Sequence, residues 1–192
     1  LLKKISTDIP IRSIILGRLD FYQNSSEIKK NTPFSREKIQ DLPSLVKTCD
    51  GIGISGANEH STSVLTSYSK TKKLRAIHSS ETQESVRKSK QITGKSETLR
   101  ALSLNPDFLI HMTHASKSDL QVTAKRTGGI VICPRANSSL AEGIPDIEKM
   151  QNAGCLLALG TDNVMINSPD LFREMDYLWK VSMALHKKRI DP

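Results

Sequence analysis

Short apolar runs in this 192-residue chain repeatedly end on a side chain able to bind a metal or move a proton. His78 follows Leu74–Ile77, His111 ends Phe108–Ile110, and Asp162 follows Leu156–Gly160 and Thr161. Imidazole nitrogen and carboxylate oxygen are donors for borderline divalent ions, so His78 and Asp162 can converge on one cation. Either could instead be structural, the aspartate as a helix N-cap. Glu81, three residues after His78, would then lie beside that cation without ligating it. That is where a general acid or base stands during attack by activated water. The bland alternative is a carboxylate favoured by a helix N-terminus. His111 is suited to polarise a substrate carbonyl or hold an attacking hydroxide. His114 reads as a structural or rim neighbour, and Asn137, after Cys133-Pro134, as a turn residue or part of the pocket lining.

The elements that must carry these residues alternate. Strand-like runs appear at Arg12–Gly17, Gly51–Ser55, Leu74–Ile77, Phe108–His111, Ile130–Cys133 and Leu156–Gly160. Amphipathic stretches lie between them. Ser35 caps a helix from Arg36 that Pro43 should break or kink. Thr62–Tyr68, Glu81–Gln91 and Ser96–Leu104 read as helices. So do a stretch capped by Ser116 or Ser118 and ending near Arg126, one opened by Pro145-Asp146, and a longer one from Asp170 towards Lys187. Leu171, Met175, Leu178 and Val181 mark the apolar face of the last. Alternation of this kind implies parallel pairing and an α/β fold. A doubly wound sheet should open on a glycine-rich phosphate turn, and neither GxGxxG nor GxxxxGK[ST] occurs. Four strands deliver polar residues at the same edge, which favours an incomplete (β/α)8 barrel. A whole barrel takes about 250 residues.

Composition removes other classes. The formal charge is +8, with 28 Lys+Arg against 20 Asp+Glu. The bases fall in scattered groups (Lys70, Lys72, Lys73; Arg87, Lys88, Lys90; Lys187, Lys188, Arg189) with few aromatics among them, so solvated helix faces are expected and no nucleic-acid partner. No apolar run approaches the roughly 20 residues of a bilayer span, so no membrane association is expected either. Cys49, Cys133 and Cys155 form no CxxC pair and read as reduced packing residues of a cytoplasmic protein.

The runs "AIHSSET", "FLIHMTHASKSDL", "VICPRANSSLAEGIPDIEKMQNAG" and "LALGTDNVMINSPDLFREM" resemble the last four strands of the amidohydrolase superfamily. Within it they are most similar to the branch of chlorohydrolases and of cytosine, guanine and adenosine-derivative deaminases. The resemblance covers residues 50–180 and rests most on Cys133-Pro134 with Asn137, followed by the Ala-Gly-x-x-x-Ala-Leu-Gly-Thr-Asp-Asn pattern. It implies that His78 is the fifth-strand metal ligand and Glu81 the proton-transferring glutamate. It further implies that His111 is the sixth-strand histidine, assisting catalysis and approaching the metal, and that Asp162 is the eighth-strand aspartate. Asn137, His114 and Asn58 are then the substrate-binding candidates.

The departures set further expectations. The family's first strand carries His-x-His, and none of the five histidines here are so spaced. The chain is therefore expected to be a single partial barrel domain over residues 1–192, strands three to eight of a longer enzyme, inactive alone. Strands one and two and a flanking β-sandwich are not accounted for, and the chain opens on Leu1. Ala57, in Gly56-Ala57-Asn58-Glu59-His60, breaks a Pro-His pair that many nucleoside deaminases use, which tells against a nucleoside substrate. The expected activity is deamination of a nitrogen heterocycle by a homo-oligomeric enzyme. Its cofactor is a divalent metal, zinc by default, with iron or manganese as alternatives. A dehalogenating chlorohydrolase and a non-catalytic homologue are the rival readings.

Overall fold

The computed structural model describes residues 12–187. Six strands form one sheet: β1 (Leu16–Gly17), β2 (Gly51–Ile54), β3 (Leu74–Ser79), β4 (Phe108–His111), β5 (Ile130–Ile132) and β6 (Leu157–Leu159). Their spatial order is their chain order, and every neighbouring pair is parallel. Each new strand is thus added to the same edge, without the reversal that defines a doubly wound sheet. This is the barrel-type order, over six strands.

Register shows which face is covered. Ile54, Ile77, Leu109, Ile130 and Leu157 form one lateral row across five strands. The first four are at most 1% exposed and belong to the core shared with Val64, Leu65, Tyr68, Leu120 and Met150 of the helices. The opposite row, His78, Ile110, Val131 and Ala158, is only half-buried to exposed. At the β1 edge Leu16 fills the space above two glycines. A Cβ on Gly51 would lie 2.5 Å from Leu16 Cδ2 and 2.7 Å from the Leu74 carbonyl oxygen.

The helices are α1 (Ser25–Lys29), α2 (Arg36–Thr48), α3 (Thr62–Ser69), α4 (Gln83–Thr93), α5 (Glu97–Ala101), α6 (Lys117–Arg126), α7 (Pro134–Ser139), α8 (Ile147–Asn152) and α9 (Leu171–His186). Ser35, Ser61, Thr82, Ser96, Ser116, Asp146 and Asp170 each accept a backbone N–H three residues on, which supplies the missing partner at the first turn.

Several expectations need correction. Pro43 does not break α2: it is exposed, so the hydrogen bond it removes lies on the solvent side. The helix expected from Glu81 starts at Gln83, because Thr82 takes the cap and leaves Glu81 outside. On α9, Leu171 and Met175 are each 51% exposed whereas Leu178 packs on the core and Val181 is half-buried, so the periodic stripe is covered only over its second half. Strand β1 pairs over two residues, not six. The three cysteines are free and buried, as read from the sequence. No helix among the described residues is long and apolar enough to cross a membrane. Of the basic groups, Lys188 and Arg189 lie outside the described residues.

Candidate metal and proton-transfer site

Parallel strands present their carboxyl ends at one rim, and there the chain leaves regular geometry. Ser80 (φ 51°), His111 (φ 70°), Met112 (φ 58°) and Asp162 (φ 58°) all adopt left-handed backbone without being glycine. Such residues are uncommon, cost about 1–3 kcal/mol each, and persist only where their surroundings determine them. Strand alternation alone would send His111 to the side of Leu109. Its ring instead lies 5.2 Å from that of His78, which belongs to the opposite row.

Glu81, His111 and Asp162 each bring a ligand atom within 4.8 Å of the other two. His111 is 1% exposed. Its Nδ1 faces Asn137 Oδ1 at 3.4 Å and its Nε2 faces Glu81 Oε1 at 3.4 Å. A carboxamide oxygen only accepts, so the ring proton belongs on Nδ1 and the Nε2 lone pair points at the glutamate. Burial, with His78 nearby, lowers the His111 pKa to about 4. Burial also pushes the Glu81 carboxyl up, opposed by His78 and reinforced by Asp162, Glu142 and Glu97. At neutral pH the His111–Glu81 contact is therefore no ion pair: a neutral imidazole faces a carboxyl of raised proton affinity. Three lone-pair donors converging on one spot call for a proton or a cation between them.

His78 stands beside this group. Its Nδ1 donates to the Ile54 carbonyl at 3.1 Å, which leaves Nε2 as the ring's free donor atom. The set that gathers is thus Glu81, His111 and Asp162, with His78 adjoining, where sequence reasoning grouped His78, His111 and Asp162 as ligands. Asp162 lies against Cys133, just past β5, whose thiol burial and the Asp162 carboxylate push up to about 12.

The remaining candidates divide. Asn137 is fully buried in α7 and braces His111, with its Nδ2 unpartnered. His114 Nε2 donates to the Glu142 carbonyl at 2.6 Å and lines a rim pocket of about 460 Å³ with Thr82, Glu84 and Gly143. Asn58 is not brought to the cluster contacts. Its amide donates to Ser85 O (2.8 Å) and Glu97 Oε1 (3.2 Å), and its carbonyl accepts from Arg100 Nη1 (3.0 Å). A clasp that sequence reasoning missed holds the loop after Asp162: Arg135 Nη1 meets buried Glu174 Oε1 at 3.4 Å, and its guanidinium reaches Ser168 O and Asn167 Oδ1. Nothing in the letters distinguishes Glu174 from a surface glutamate of an amphipathic helix.

Comparison with known proteins follows the same lines. A provisionally named aminohydrolase of Methanothermobacter thermautotrophicus is 35% identical over 198 residues, covering 100% of this chain and 50% of that protein. A 5-methylthioadenosine/S-adenosylhomocysteine deaminase of Thermococcus sibiricus is 34% identical over 122 residues, 61% of this chain and 28% of that one. Among solved structures, Helicobacter pylori aminofutalosine deaminase superposes with a TM-score of 0.70 at 16% identity, over 93% of this chain and 51% of that one. This last likeness concerns the fold. The chain spans about half the length of the two curated relatives it matches most fully, at 50% and 47% of them. Residues 25–192 match the amidohydrolase family model, and the chain belongs to that family.

Proposed function

We propose that this chain is part of a metal-dependent hydrolase acting on carbon–nitrogen bonds other than peptides, one that deaminates a nitrogen heterocycle. The observation that carries the reading is the convergence of Glu81, His111 and Asp162 within 4.8 Å at the strand ends, with the His111 proton turned away on Nδ1. His78, His111 and Asp162 would hold the ion, zinc first, with iron or manganese served by the same donors. A bound divalent ion supplies Lewis acidity that makes water a nucleophile near neutral pH.

The chain's own groups do the rest. Asp162 accepts the proton of the attacking water as its oxygen bonds to the ring carbon bearing the amino group. Glu81, whose burial favours the protonated form, delivers a proton to the adjacent ring nitrogen. His111, neutral and braced by Asn137, steadies the charge that develops. Asp162 then passes its proton to the amino group, the carbon–nitrogen bond breaks to release ammonia, and the added hydroxyl gives its proton back to Glu81 as the ring carbonyl forms. His114, at the rim, is the candidate for substrate contact; Asn137 braces His111 from within α7, and Asn58 is engaged with Ser85, Glu97 and Arg100. The half-length match supports a longer enzyme to which this chain contributes one part. A chlorohydrolase would use the same donors and differ in leaving group, so product analysis separates the two.

The test is to express the full-length protein, measure its metal content and assay ammonia and chloride release across a heterocycle panel. Asp162→Asn and Glu81→Gln are each expected to lower turnover by about 10²–10⁴-fold. Wild-type turnover in either variant would refute the assigned role.

A further inference from the structure

Glu97 is a buried carboxylate, 3% exposed, that the reaction above does not use. Its Oε2 accepts the Ser80 backbone N–H at 2.9 Å and the Ser85 hydroxyl at 2.7 Å, and its Oε1 accepts Asn58 Nδ2 at 3.2 Å. Arg100, 1% exposed and one turn further on, donates to Asn58 Oδ1 and to the Ala57 and His60 carbonyls, which anchors the network in the β2 loop.

Ser80 is the left-handed residue between His78 and Glu81, so its backbone decides where both side chains point. Its carbonyl accepts His114 N–H at 2.8 Å, and the carbonyl of Ser79 accepts Met112 N–H at 2.9 Å. The left-handed turn at the end of β3 is thereby tied to the left-handed pair His111–Met112 at the end of β4. Thr98, next to Glu97, adds a hydroxyl contact to Ser80 Oγ at 3.0 Å.

We propose that Glu97 is a positioning residue: it clamps Ser80 in the left-handed conformation and so sets His78, Glu81 and, through the Ser79–Met112 and Ser80–His114 bonds, His111 in register with one another. A charged acceptor on that single N–H offsets the strain of a non-glycine residue there. The inference rests on the rim being the working site. Its placement of the rings does not depend on a metal being bound.

The discriminating experiment uses glycine, which takes φ near +50° without help. In the full-length protein, Glu97→Gln, Ser80→Gly and the double variant are compared by cobalt(II) titration in visible absorption. The metal-free forms are compared by the imidazole ¹⁵N signals of His78 and His111, with circular dichroism as the check on folding. Glu97→Gln should weaken cobalt binding by about 10- to 100-fold and move both sets of ring signals. Ser80→Gly alone should stay near wild type, and adding it to Glu97→Gln should restore both readouts.

The proposal is overturned if Glu97→Gln leaves affinity and ring signals unchanged, or if a folded Glu97→Gln protein loses them and Ser80→Gly does not bring them back. If the wild type takes up no cobalt, the metal-centre reading falls and the ring signals alone decide the role of Glu97. If Glu97→Gln does not fold, Ser85→Ala, which removes one bond to the same oxygen, should move the ring signals less, again reversed by Ser80→Gly. No movement at all overturns the proposal.

Discussion

His111 and Asp162 face each other across the candidate site from unequal footings. His111 ends a strand paired on both sides, its backbone tied to the β3 turn, its ring braced by buried Asn137. Asp162 follows β6, which among the described residues pairs only with β5. After it, Val164, Met165 and Phe172 are each more than two-thirds exposed. The β3–β4 side is therefore organised by the chain's interior, whereas the β6 side depends on a few polar clasps, chiefly Arg135 with Glu174 and the Cys133 contact. Preorganisation of one wall and tenuous support of the other suggest that the aspartate's placement is the easier of the two to disturb.

Substitutions can break or sharpen this contrast. Leu109→Ala, in the middle of the buried row, should cost about 3 kcal/mol of unfolding free energy in denaturant titration. A loss under 1 kcal/mol would mean that the β3–β4 side is no better packed than the edge.

The loop after β2 should be acid-sensitive as well. His60 is fully buried between Phe21 and Tyr68 with neither ring nitrogen partnered, and burial, with Arg18 and Arg100, lowers its pKa to about 4. Its unfolded value is about 6.5, so between pH 6.5 and 4 the unfolded chain binds the extra proton. Stability is complete above that window and falls as pH drops through it, by at most about 3 kcal/mol from this residue. Melting temperatures across that range should fall less steeply in His60→Phe; an unchanged slope would exclude His60 as the cause.

At the other wall, Glu174→Gln keeps the acceptor for the Arg135 backbone N–H but not the charge, and should cost about 1–2 kcal/mol. Phe172→Ser, on the outer face of α9, should change stability by no more than about 0.5 kcal/mol.

How much was legible follows from the same physics. The strands are short apolar runs with abrupt ends, so β4 was read to the residue and β2, β3, β5 and β6 to within two. Strand β1 was read too long because Arg12–Ile14, with no outer neighbour among the described residues, are exposed. The donor residues were readable because each marks a strand end. The supports were not: Glu97 sits at the first position of α5, where an acidic residue is expected for helix reasons alone, and its burial depends on Asn58 and Ser85, distant in sequence. Nor does any letter announce that Ser80, Met112 or Asp162 will take positive φ.

That last feature shapes how the rim can vary. Ser80 and Met112 supply no ligand atom to the cluster, yet a β-branched residue at either would meet its own backbone before it met any neighbour. Tolerance there should follow the conformational map of each amino acid, with glycine and asparagine easiest and valine and isoleucine hardest, largely regardless of size or polarity. Drift at this rim is constrained by torsion as well as by chemistry.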